Sequence, residues 1–96
     1  MQEYEVRISP AAQHDGLSIT GHLSALESDD ALSYYEHLME RVSILKTSPQ
    51  SCPSAKDAQL RYRGYRTLAV NDFVFFFIIS GTKVEIRRII HSKRQH

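Results

Sequence analysis

Residues 61–96 read RYRGYRTLAVNDFVFFFIISGTKVEIRRIIHSKRQH, and the punctuation of this stretch decides the fold. Asn71-Asp72 and Gly81-Thr82 separate three runs rich in Val, Ile, Phe, Tyr and Thr. Turns that short join antiparallel neighbours, so the stretch predicts a three-stranded meander. In the first run, Tyr65–Val70, period two places Arg66, Leu68 and Val70 on one face. In the second, Phe73–Ser80, both faces are apolar. Phe73, Phe75, Phe77 and Ile79 form one, and Val74, Phe76 and Ile78 the other. Such a strand is expected in the middle of a sheet with cover on both sides. In the third, Lys83–His91, strict alternation sets Val84, Ile86 and Ile90, with Arg88 among them, against Lys83, Glu85, Arg87, Ile89 and His91.

Working back from the meander, Ser48–Gln59 (SPQSCPSAKDAQ) has two prolines and many small polar residues and reads as a surface loop. Before it, Ala31, Tyr35, Leu38, Val42 and Leu45 recur at spacings of four and three, the stripe of an amphipathic helix. Ser28-Asp29-Asp30 supplies its start signal, and the helix should stop before Pro49. An earlier helix opens at Ser9-Pro10, with Ser9 as cap and Pro10 at the first helical position. It carries Ala12, Ile19, Leu23 and Leu26 near one stripe. Gly16 and Gly21 weaken it by about 1 kcal/mol each relative to Ala, so a bend or frayed turn is expected. Tyr4, Val6 and Ile8 alternate ahead of it as a first strand. The predicted architecture is α+β in the order β-α-α-β-β-β, an antiparallel sheet packed against an N-terminal helical hairpin. At 96 residues the chain makes one domain, residues 1–96.

A formal net charge of +1 conceals a division. Residues 1–40 hold eight acids against one base, and residues 41–96 hold eleven bases against three acids. Asymmetry of this kind points to one face for an anionic partner. A single cysteine, Cys52, excludes an internal disulfide and fits a reducing compartment. The longest apolar run, Phe73–Ile79, is far short of a membrane span. With no charged-then-apolar leader at the N-terminus, a cytoplasmic location is expected.

The five histidines have no Cys or carboxylate partners at ligand spacing, so no metal or other cofactor is expected. Cys52 lacks a neighbour that would activate it, apart from Lys56. The basic residues are the stronger signal. Arg61, Arg63 and Arg66 lie at or before the start of one strand, and Arg87, Arg88, Lys93 and Arg94 lie at the end of another, with His91 between. Gathered at one rim, guanidinium groups suit a phosphate backbone, and Tyr62 and Tyr65 suit stacking on bases. A histidine among them could exchange protons near neutral pH while arginine stabilises a charged phosphorane.

The run from Arg66 to Arg94 resembles the end of small bacterial toxins of the RelE/ParE superfamily. Arg66, Leu68 and Val70 match the family's first meander strand, and Phe76 and Phe77 the aromatic pair of the second. Val84, Ile86, Arg88, Ile89, His91, Lys93 and Arg94 match the third. The opening Val6-x-Ile8-Ser9-Pro10-x-Ala12 is similar to the family's start. The resemblance implies the toxin half of a type II toxin–antitoxin pair, restrained by an acidic or amphipathic segment of a cognate antitoxin. In one branch such toxins cut mRNA on the ribosome without metal. In the other they inhibit DNA gyrase and are not nucleases. On the nuclease reading, His91 moves the proton and Arg66 and Arg94 hold the phosphate. Arg61, Arg63, Arg87, Arg88 and Lys93 then grip nucleic acid. That branch generally carries an arginine where Val74 stands, and often a C-terminal Tyr or His, for which His91 and His96 are the candidates. Gyrase inhibition is the alternative, and a toxin-like domain that only binds a partner is a third.

Overall fold

The computed structural model of the chain describes residues 3–26 and 28–91. Strand β1 (Glu5–Ile8) leads into helix α1 (Pro10–Leu26) and helix α2 (Ser28–Val42). Two 3-10 turns come next, Ser43–Lys46 and Pro49–Ser51, then a short helix, α3 (Ala58–Tyr62). Strands β2 (Tyr65–Val70), β3 (Phe73–Ser80) and β4 (Lys83–His91) complete the chain, with the bounds expected from the turns. Asn71 and Gly81, the first residues of the two turns, take the positive φ that a two-residue hairpin requires, 54° and 62°. Helix α1 runs unbroken through Gly16 and Gly21. The side chains of Ile19, Leu23, Leu26, Ala31 and Tyr35 lie outside the described residues, as do Lys93, Arg94 and His96.

The sheet has the order β1-β4-β3-β2, and the α+β architecture is the one expected. One pairing differs. β3 runs antiparallel to both β2 and β4, but β1 lies parallel to β4, with Glu5 opposite Lys83 and Ile8 opposite Ile86. The sheet is therefore mixed. Tight turns set the directions of the meander strands only. β1 is separated from the meander by two helices, the kind of long connection that a parallel neighbour needs.

β4 also departs from strict alternation. Phe76 pairs with Arg88 and Phe77 with Ile86, so Arg87 is an extra residue and the strand bulges there. The bulge reverses the phase of the strand beyond it. Ile89 joins Val84 and Ile86 in the core, while Ile90 pairs with Val74 on the other face. Strict alternation assigns these two isoleucines the other way round.

The core lies between the helices and one face of the sheet. Ala12 from α1, Leu38 and Val42 from α2, and Leu45 pack with Val70, Phe73, Phe75, Phe77, Val84, Ile86 and Ile89. β3 does occupy the interior of the sheet, but the helical cover lies on one side only. Val74, Phe76 and Ile78 on the opposite side are half-buried among cross-strand neighbours such as Thr67 and Arg88. The expectation of cover on both faces is corrected to that extent. The 48–59 segment is more than a surface loop: it buries Pro49, Cys52 and Ala55 and lies along the outer edge of β2. There the Ala55 amide donates to the Tyr65 carbonyl at 2.9 Å, and the Thr67 amide to that of Pro53 at 3.0 Å. Small apolar side chains scattered among serines give no periodic signal, which is why composition conceals this docking.

Candidate functional site

β1 is shorter than β4, so beyond Ile86 one edge of β4 has no strand beside it. The start of α1 takes its place. The Ser9 amide donates to the Ile86 carbonyl at 2.9 Å, and the Ser9 hydroxyl donates to the Arg87 carbonyl at 3.1 Å. One turn further on, the Asp15 carboxylate accepts the Ile89 amide at 2.9 Å and both arms of the Arg88 guanidinium, at 2.8 and 3.2 Å. An unpaired strand edge is thus satisfied by a side chain where a partner carbonyl would stand. Burial disfavours the charged form of Asp15. The hydrogen bonds from Arg88 and Ile89 outweigh it, so the carboxyl is held below its ordinary range.

Other arginines also have partners within the chain, Arg7 among them, paired with Glu5. Arg66 faces the covered side of the sheet opposite Phe77, and its guanidinium donates to the carbonyls of Cys52 at 2.7 Å and Gln50 at 3.4 Å. It ties the 48–59 segment to β2. Burial pushes the Cys52 thiol up, with Arg66 partly opposing, which makes it a poor nucleophile. Arg87 pairs with Glu85 at 2.5 Å. His91 pairs with Phe73 across β3 and β4, its ring edge-on to the phenyl ring at 4.9 Å.

The register places these groups relative to one another. Arg66 stands on the Phe77 row of β3 and His91 on the Phe73 row. Four residues of extended strand separate them, about 13 Å along the sheet. Arg66 and His91 are therefore not brought together. Arg61, Arg63 and Arg66 lie at the end of the sheet where β2 begins, and His91 lies at the opposite end.

The end where β2 begins carries a different cluster. Asp57 caps α3, its carboxylate accepting the amides of Gln59 at 2.9 Å and Leu60 at 3.1 Å. Gly64, with φ 90°, ends the helix in a conformation that favours glycine. Between these stops α3 buries none of its own residues. Tyr62 is 93% exposed and is flanked by exposed Arg61 and Arg63. Ala58, Gln59, Tyr62 and Arg63 line a shallow concavity of about 440 Å³. On the uncovered face at the same end, Ile78, which pairs with Tyr65, helps line a second hollow of about 250 Å³ with Arg7, Ser80, Lys83, Glu85 and Arg87. Among the described residues no three His, Cys, Asp or Glu side chains form a metal cluster, and no helix is long and apolar enough to cross a membrane.

The family model described as the ParE toxin of the type II toxin–antitoxin system, parDE, matches residues 6–96. The chain belongs to this toxin family. No curated protein sequence matches it. Among solved structures, it is similar to the chromosomal ParDE toxin–antitoxin system of P. aeruginosa, with a TM-score of 0.78 and 21% identity over 93% of this chain and 96% of that one. The toxin–antitoxin complex RelBE2 of Mycobacterium tuberculosis gives 0.63 at 18% identity, over 95% and 93%. The conserved hypothetical protein HP0894 of Helicobacter pylori gives 0.58 at 13%, over 94% and 96%. At these identities the likeness is one of fold. In this ParE-family chain the residue that sequence reasoning missed is Asp15. The signal was available: Arg88 interrupts an apolar strand and needs a counter-charge, and Asp15 is the only acid in α1.

Proposed function

We propose that this toxin arrests growth by binding DNA gyrase, without cutting RNA, and that a cognate antitoxin restrains it. The separation of Arg66 from His91 along the sheet carries this reading, because phosphoryl chemistry needs its proton-transfer and charge-stabilising groups around one phosphate. Two further features support it. Arg66 and Arg88 are engaged within the fold, by carbonyls and by Asp15. Val74 stands where the nuclease branch of the superfamily carries an arginine. The match to the ParE model over nearly the whole chain points the same way. The kinship with two-component toxin–antitoxin complexes supports the antitoxin.

The test pairs two assays of the purified chain. Supercoiling by gyrase holoenzyme is expected to be inhibited at stoichiometric to micromolar toxin, while mRNA on programmed ribosomes stays intact. New mRNA ends that depend on His91 would overturn the proposal in favour of the nuclease.

A further inference from the structure

We infer that Tyr62, with Arg61 and Arg63 on either side, is the docking knob by which this toxin engages an acidic surface of its protein target. The inference rests on the reading of the chain as a binding toxin, but not on which protein it binds. It begins from the disposition of α3. A tyrosine ring that is 93% exposed gives nothing to the core, and the helix that carries it fully buries no residue, with only Leu60 half-buried. Even so, the helix is held firmly at both ends. Asp57 closes its first turn, Gly64 stops it, and the Arg61 guanidinium donates to the Lys56 carbonyl at 3.2 Å. These bonds fix the backbone that carries the ring before any partner arrives, so little backbone ordering cost remains for binding. Tyr and Arg are also the residue types that dominate binding energy at protein interfaces.

Charge identifies the occupant. Lys56, Arg61 and Arg63 are exposed around the ring, and the one acid of the segment, Asp57, is turned to capping amides. Lys83 adds a further positive charge at the same end of the sheet, beside the hollow that Ile78 lines, while Arg7 and Arg87 there are paired with Glu5 and Glu85. A complementary surface presents carboxylates around a recess able to take a phenol ring. Single-stranded nucleic acid is the competing occupant. It is disfavoured because a stacking groove tracks several successive bases, whereas α3 offers one ring.

The experiment compares the full chain with Tyr62→Ala, Tyr62→Phe and Arg63→Glu in growth arrest on induction, binding of the cognate antitoxin, and gyrase supercoiling. Tyr62→Ala and Arg63→Glu are expected to weaken growth arrest by about 10-fold or more, as loss of an interface anchor does. Antitoxin affinity and melting temperature should stay at the parent values, and Tyr62→Phe should retain most of the arrest. Undiminished arrest by both Tyr62→Ala and Arg63→Glu overturns the inference. So does a parallel loss of antitoxin binding, which assigns the knob to the antitoxin, or Tyr62-dependent binding of a single-stranded oligonucleotide by the parent. Should Tyr62→Ala fail to fold, Arg63→Glu decides. A parent chain that arrests growth but leaves gyrase untouched removes the gyrase reading and leaves the growth arm to judge Tyr62. A parent chain that does not slow growth overturns both.

Discussion

The arginines of the sheet and those of α3 come from one basic half of the sequence, yet the fold uses them differently. Arg66 and Arg88 fasten one part of the molecule to another, the first through the carbonyls of Gln50 and Cys52, the second through Asp15 on α1. Arg61 and Arg63 flank an exposed ring on a helix that fully buries none of its residues. A count of positive charges does not separate these roles: Arg66 and Arg88 join distant parts of the chain, whereas the acceptor of Arg61, the Lys56 carbonyl, lies five residues away on the same segment. What separates them is whether the fold loses anything when the arginine is removed.

Mutation can break that contrast or sharpen it. The largest effect is expected from Asp15→Ala, which leaves the Ile89 amide without an acceptor and Arg88 without its counter-ion. Stranding such a donor should cost about 1–3 kcal/mol, read out by urea unfolding. The same carboxylate sets an acid dependence. Its folded pKa lies below its unfolded value, so its stabilisation is complete above about pH 4 and is lost as pH falls through the folded value. Acid unfolding of Asp15→Asn should therefore show a flatter slope below about pH 4 than the parent. Arg66→Ala comes next, at about 1–2 kcal/mol, since two carbonyls lose a charged donor. Limited proteolysis should then cut more readily within residues 48–57. The smallest change in stability is expected from Tyr62→Ala, within about 0.5 kcal/mol, as for a surface site away from the core. A stability loss at Tyr62 as large as that at Asp15 would erase the distinction between fastening and display.

The meander was legible to the residue because its information is local: two turn pairs and three β-rich runs. The helical hairpin was legible too, from Pro10 and the stripe through Leu38 and Val42, but its second helix ends at Val42 and the stripe's Leu45 lies in the 3-10 turn that follows, so that end was not. The direction of β1 was not, since nothing in Glu5–Ile8 says which strand it joins. The bulge at Arg87 was also hidden. One extra residue leaves composition unchanged but exchanges the faces of Ile89 and Ile90. Of the site, the residue types were legible and their grouping was not. Arg66 and His91 both sit at strand ends in the sequence, but they are opposite ends of the sheet. Only register reveals that, and register depends on the whole sheet.

The parallel pairing of β1 with β4 makes the first strand and the last into neighbours, with β4 between β1 and β3. As the chain emerges from a ribosome, Glu5–Ile8 has no strand to join until residues 83–86 have been made. A nascent chain halted before that point leaves β1 unmatched and β3 with a bare edge. The sheet therefore closes only once the last strand is present, a non-local pairing that must form late in folding.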